Sequence, residues 1–265
     1  MHIDEILRLN QNKDELVLPN DWCQGRTIFG GLSAALMYQK MQQLTNNTHT
    51  IKSLNINFIG PLLAKTPFKI IATRLRSGKS TTMLEAKIIQ DEKICVTAQA
   101  SFGSKRESKI NIQPTNSHQM TLAKKGDFLP QIPGVTPKYF KHIDMAIQEG
   151  RVPFLKAKTS HYHGWMRLKK QPEKLTLAHV ITLIDSWPPA VLQLLTGPAP
   201  ASTMNWNLSF AHNEAQLNQL QPQDWLAYQV ETDHAEDGYA YTSAHIWDQQ
   251  GLLIATSKQC VTVFG

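Results

Sequence analysis

One carboxylate, Asp185, stands inside an otherwise apolar run, HVITLIDSWPPAVLQLL, from His179 to Leu195. Ile184, Trp187, Pro188, Val191, Leu194 and Leu195 recur at helical spacing, which predicts a helix with one face in a core. Pro188 and Pro189 have no N–H to donate, so they fit only the first turn, where those donors lack an intrahelical acceptor. The spacing therefore predicts a helix that begins near Asp185 or Ser186, with the acid at its positive end. The commonest role of such an acid is to cap the helix. The other role open to a carboxylate in an apolar setting is to accept a proton from a nucleophile.

What turns attention to the second role is a repeat. At an offset of 160 residues Gly78 pairs with Gly238, Thr82 with Thr242, Gln90 with Gln250, Ile94 with Ile254 and Gln99 with Gln259. At 150, Asn55 and Asn57 pair with Asn205 and Asn207; at 154, Gln39 pairs with Gln193, which sets Gly31 opposite Asp185. The shared order of these matches predicts two copies of one unit. The copies differ where chemistry is possible. Gly31 faces Asp185 in the alignment, Ser53 faces Thr203, and Gln99 faces Gln259, so only the second copy holds an acid, a hydroxyl and an amide together. That trio suits general-base catalysis with water: Asp185 takes the proton while Thr203 and Gln259 orient the water. Taken singly, Thr203 reads as an ordinary strand threonine and Gln259 as an edge or interface amide.

The elements that must position these residues are legible in outline. In GRTIFGGLSAALMYQKMQQL, Gly30 and Gly31 open a helix apolar nearly all round, hence buried, and their missing side chains let another backbone come close. The spacing of these glycines fits neither a dinucleotide nor a phosphate loop. SLNINFIGP alternates as a half-buried strand stopped by Gly-Pro, and residues 67–103 hold three more strands with turns at Ser77-Gly78-Lys79 and Asp91-Glu92. Residues 104–160 are rich in Lys, Asn, Gln, Pro and His without a clean period. They read as a linker or insert, with 104–135 crossing the surface and Pro137–Gly150 forming a short extra helix or arm. The expected organisation is an N-terminal unit at 1–103, the insert at 104–160 and a C-terminal unit at 161–265. The two sheets are expected to join edge to edge, each wrapping its own buried helix.

The 265-residue chain is 42% hydrophobic and 18% charged, with net charge +6, as expected of a globular protein with an anionic partner. Its Lys and Arg lie in small scattered groups, and no basic tract or aromatic strand points to nucleic acid. Three separated cysteines imply reduced thiols, the first residues do not read as a signal peptide, and no apolar run is long enough to span a bilayer. These readings place the protein in the cytoplasm. His161 and His163 have no acid or cysteine at metal-ligand spacing, and no G-x-S-x-G supports a serine nucleophile.

With these motifs in hand, the chain resembles the acyl-CoA thioesterase II type of double-hotdog proteins over nearly its whole length. Phe29-Gly30-Gly31 and the small-residue helix after it look like the family's first hotdog helix, and SLNINFIGP looks like its first long strand. RLRSGKSTTMLEAKIIQDEKICVTAQASF is similar to the section that follows. Asp185, Thr203 in STMNWNLSFAH and Gln259 in GLLIATSKQCV stand where the family has its water-activating aspartate, threonine and glutamine. Asn205-Trp206 departs from the Asp-His usual after that threonine. The resemblance implies an α+β tandem double hotdog, two antiparallel sheets each around a long central helix. It also implies hydrolysis of acyl-CoA thioesters by an Asp185/Thr203/Gln259-held water, no cofactor or metal, and a homo-oligomer with a dimer favoured. Gly30 and Gly31 would sit against substrate at the helix–helix seam. Two other readings use the same fold: a non-catalytic acyl-CoA or acyl-carrier binding protein, and an enoyl-thioester hydratase, which wants a helix-borne histidine paired with Asp or Asn.

Overall fold

The computed structural model describes residues 1–45, 49–114, 116–124, 127–211 and 214–264; residues 115, 125 and 126 of the expected insert, and His212 of the quoted strand segment, lie outside them. The first half contains α1 (Ile3–Asn12), β1 (Glu15–Leu16), β2 (Cys23–Gln24), β3 (Thr27–Ile28), α2 (Gly30–Gln42), β4 (Thr50–Phe58), β5 (Phe68–Ser77), β6 (Thr81–Gln90) and β7 (Lys93–Gly103). The rest follows as β8 (Ile143–Glu149), β9 (His161–Leu168), α3 (Leu177–Ile184), β10 (Ala201–Phe210), α4 (Glu214–Gln219), β11 (Leu226–Glu236), β12 (Tyr239–Trp247) and β13 (Leu253–Val263).

Eleven strands form one antiparallel sheet in the order β1-β5-β6-β7-β4-β10-β13-β12-β11-β9-β8. From the centre outward β4, β7, β6 and β5 are matched by β10, β13, β12 and β11, the arrangement a duplicated unit produces. The halves meet where β4 pairs with β10, and there like faces like: Ser53 opposite Ser209, Leu54 opposite Leu208, Asn55 opposite Asn207 and Asn57 opposite Asn205. The Asn207 side-chain amide donates to the Asn55 carbonyl oxygen across the join. The two sheets join edge to edge as expected, and because β10 satisfies the β4 edge they form a single continuous sheet.

The expectation that needs correction is a long helix in each half. α2 has 13 residues, and all but Gly30, Lys40 and Gln42 are buried between the sheet, α1 and α3. α3 has only 8 residues and lies before Asp185 rather than after it. Its start is fixed by Thr176 and His179, which form a reciprocal capping box, and its body, LAHVITLI, is buried throughout. The two prolines do mark a helical start, but of a short 3-10 turn, Ala190–Leu194, with Pro189 at its N-cap.

Part of the expected insert also belongs to the sheet. Lys138–His142 form a 3-10 turn, and Ile143–Glu149 then pair with β9 as its edge strand. Further upstream, the insert is strapped to the outer face of the second half. Trp165 Nε1 donates to the Thr121 carbonyl (2.7 Å), Trp247 Nε1 to the Asn116 carbonyl (3.0 Å), and the His118 ring meets the Asp248 carbonyl (3.1 Å). Met120, Ala123 and Phe128 thereby cover a cluster of Trp165, Trp225, Trp247, Ala146 and Ala227.

Candidate active site

Asp185 occupies the C-cap of α3, and the structure turns its carboxylate toward the start of α2, not toward the start of its own helix. The carboxylate accepts the backbone N–H of Gly31, one of the first-turn donors that no helical carbonyl can satisfy. The acid does therefore stand at a positive helix end, but that of the other half. Such an approach requires glycine. A Cβ on Gly31 would lie 2.7 Å from the Thr182 carbonyl oxygen and 2.9 Å from Asp185 Cβ; one on Gly30 would lie 2.8 Å from Asp185 Oδ2 and 3.0 Å from the Phe58 ring.

Gln259 reaches the same carboxylate from β13, its Nε2 donating to Asp185 Oδ1 at 2.9 Å. Along β13, Ala255, Ser257, Gln259 and Val261 share the inward face, and Gln259 lies opposite Trp206 of β10. Thr203 needs a different device. Trp206, Leu208 and Phe210 point inward, so plain alternation would send Thr203 outward. A β-bulge between Thr203 and Asn205 shifts the alternation by one, exposes Met204 and turns Thr203 inward. Asn205 is left on the outer face, while Trp206 is buried with its Nε1 bonded to Ser257 Oγ at 2.8 Å.

Asp185, Thr203, Gln259 and Gly30 all line one cavity of about 410 Å³, together with Phe58, Tyr139 and Trp187. Gly31 is placed behind Gly30, at the seam. Burial pushes the Asp185 carboxyl up to about 7, against the opposing pull of the bonds from Gln259 and Gly31. A carboxyl poised there is ionised for much of the time near neutrality yet can hold a proton when one is offered.

Two alignments made from the sequence fail at this level. Gln99 faces outward opposite Asn55, and its inward neighbours on β7 are Ala98 and Ala100. A bulge between Ile51 and Ser53 in β4 repeats the one in β10, so the inward residue before it is Ile51, not Ser53. The conclusion that only the second half holds the hydroxyl and the amide survives, with Ile51 and alanines as their counterparts.

Tyr139 was not singled out by the sequence, since it lies in the aperiodic insert. It is fully buried, stacks on Phe29 with centroids 4.0 Å apart, and donates its hydroxyl to the Ser186 carbonyl at 2.8 Å, which fixes the chain just after Asp185. Burial and the nearby Asp185 charge hold its proton firmly in place. The Pro-Lys-Tyr-Phe cluster at 137–140 was the available signal.

A second opening, of about 770 Å³, lies at the far end of the helix pair and is lined by His179, Asp4 and His49. His179 is helix-borne and bonded to Asp4 Oδ1 at 2.8 Å, the pairing a hydratase would want. Its Nδ1, however, accepts the Thr176 N–H at 3.0 Å, so both ring nitrogens are engaged in fastening α1 to α3 and none is left for a substrate. Among the described residues no group of His, Cys, Asp and Glu is arranged to hold a metal, and no helix is long and apolar enough to cross a membrane.

Residues 18–103 match the acyl-CoA thioesterase N-terminal domain, and residues 116–263 match the acyl-CoA thioesterase C-terminal domain. The chain belongs to the acyl-CoA thioesterase family. Solved structures agree on its fold. A hot dog fold protein of unknown function from Alicyclobacillus acidocaldarius superposes with a TM-score of 0.83 at 22% identity, over 95% of this chain and 92% of that one. An acyl-CoA thioesterase II, TesB2, from Mycobacterium marinum gives 0.71 at 19% identity, over 99% and 98%. A tesB protein from Mycobacterium avium subspecies paratuberculosis gives 0.71 at 17%, over 94% and 91%. No curated protein matches the sequence. The thioesterase fold in this chain is a hotdog with its two units joined through β4 and β10.

Proposed function

We propose that this thioesterase-family protein hydrolyses acyl-CoA thioesters to CoA and a free carboxylic acid, with water activated by Asp185. The observation that carries the reading is the Asp185 carboxylate itself, poised near 7 and gripped by Gln259 in a cavity it shares with Thr203. Asp185 takes a proton from water as the water oxygen bonds to the thioester carbon. Gln259, its Nε2 committed to Asp185, offers its Oε1 to that water, and the Thr203 hydroxyl holds it from β10. The carbonyl oxygen gains negative charge opposite the first-turn N–H groups of α2, which lie behind Gly30. When the C–S bond breaks, the proton on Asp185 passes to the leaving thiolate. A carboxyl with a pKa near 7 can make both transfers, which an ordinary aspartate near 4 does poorly in the second direction. The three free cysteines support a cytoplasmic setting for this activity, and the family resemblance supports a homodimer as its working form.

The test is a panel of acyl-CoA chain lengths with a thiol reporter for released CoA, run on the wild type and on Asp185→Asn. Loss of a general base costs about 10²–10⁴-fold in rate, so kcat falls by that order with the fold intact. On the wild type, kcat/KM rises with pH and levels off above an inflection near 7, where the free-enzyme carboxyl ionises. An Asp185→Asn protein with near-normal turnover ends the assignment, and a wild type that binds CoA without hydrolysing any chain length supports the binding-protein reading instead.

A further inference from the structure

Among the described residues, the cavity around Asp185 is lined by one other charged residue, Arg26. No other Lys or Arg among the described residues lines this cavity, so Arg26 is the cation positioned to act there. Its side chain is exposed and has no hydrogen bond or ion pair among the described residues. The backbone under it, in contrast, is held tightly. Gly25 and Arg26 form the two-residue turn between β2 and β3, with Cys23 paired to Ile28 and Gln24 to Thr27. Gly25 takes φ +60°, which a two-residue hairpin asks of its first turn residue and which glycine adopts without strain. Thr27 Oγ1 closes the turn on the Gln24 carbonyl at 3.1 Å, and the Ile28 N–H ties it to Leu62 at 2.8 Å. β3 then runs directly into Gly30. The same short segment thus presents a free guanidinium at the open side of the cavity and the positive end of α2 inside it.

From this geometry we infer that Arg26 binds a phosphate of the thioester's carrier, and so makes the protein select phosphorylated carriers over bare pantetheine. The inference rests on the hydrolase reading for its orientation. With the thioester carbon at Asp185, the carrier must leave through the exposed side, and its phosphates are the groups that meet a cation there. A guanidinium presents two parallel N–H donors to phosphate oxygens, a match that an ammonium or an amide lacks. Because Arg26 is exposed, its contribution is screened by salt and lies at the low end for a charge-assisted bond, about tenfold in binding.

Two measurements test this on the full-length protein. The first is calorimetric binding of free CoA to the wild type and to Arg26→Gln, at low and high salt. Arg26→Gln is expected to bind CoA about tenfold more weakly at low salt, with the difference shrinking as salt rises. Equal affinities overturn the inference, whatever the activity. The second is the ratio of kcat/KM for acyl-CoA over acyl-pantetheine, expected to be at least about tenfold in the wild type and to collapse toward unity in Arg26→Gln. A ratio that Arg26→Gln leaves unchanged also overturns it. If no thioester is hydrolysed but CoA binding still depends on Arg26, the hydrolase reading fails and the Arg26 assignment stands. Repeating the binding with 3′-dephospho-CoA and with 4′-phosphopantetheine tells which phosphate is held: dependence on Arg26 survives in whichever probe retains it.

Discussion

A carboxyl group whose pKa stands near 7 in the folded protein and near 4 in the unfolded chain binds its proton more tightly when folded. Stability from this source is complete below about pH 4 and is lost as pH rises through 7, so ionised Asp185 works against the fold at the pH where it is expected to work for catalysis. At about 1.4 kcal/mol per pH unit, the part lost between pH 5.5 and 7 is about 2 kcal/mol. Asp185→Asn, which cannot ionise, should therefore gain stability relative to the wild type as pH rises from 5.5 to 8.5; denaturant melts at the two pH values check this. If the gap between the two proteins is the same at both, the carboxyl titrates normally and is only a cap. Asp185 was legible because an acid stands where its repeat partner is Gly31, and Thr203 and Gln259 were legible through the family resemblance, since their repeat partners Ser53 and Gln99 carry the same kind of group. Tyr139 and Arg26 were not, because each acts through position: one reaches the site from an aperiodic segment, the other from a turn whose direction no spacing reveals.

The seam between α2 and α3 separates the contributions of two adjacent glycines. An added Cβ at residue 31 meets backbone, the Thr182 carbonyl, whereas at residue 30 it meets the ends of two side chains, Asp185 and Phe58. Gly31→Ala should therefore lose both stability and turnover, by the roughly 1–3 kcal/mol typical of overpacking, because two helices must move apart. Gly30→Ala should cost less stability but displace Asp185, lowering kcat with a nearly normal melting temperature; thermal melts beside turnover distinguish the two. The element pattern was readable where periods were clean, as in α2 and in the hairpins at Gly78 and at Asp91-Glu92. It failed at α3, because Pro188 and Pro189 mark the start of the short 3-10 turn that follows, while the cap of α3 is Thr176 upstream. It failed again at Ser53 and Gln99, since a single bulged residue inverts which side of a strand faces the core and leaves no mark in composition.

Across the whole molecule, the insert divides into an exposed stretch and a fastened one. Residues 104–114 are exposed almost throughout, while 116–123 are tied down by Trp165, Trp247, His118 and Gln148. Limited proteolysis is expected to cut first in 104–114, narrower than the 104–135 that polarity suggests. The two fragments should then co-elute on gel filtration, held by the β4–β10 ladder and the α2–α3 contact. First cleavage within 116–123, or fragments that separate, contradicts this division of the chain. Tryptophan spacing held no hint of the strap, because its partners are separated from it by about 40–130 residues.

The β4–β10 ladder also sets a waiting time during synthesis. β10 emerges about 150 residues after β4, which at roughly 5–20 residues per second is on the order of 10–30 s. For that interval the first unit has an open strand edge, and the glycine start of α2 has no α3 against it. An open edge is a template for pairing with other nascent chains, and long apolar edges are the dangerous ones. β4 meets this with Lys52, Ser53, Asn55 and Asn57 along its outer side, so the polar residues that later face their likenesses in β10 first serve to keep an unfinished protein from finding the wrong partner.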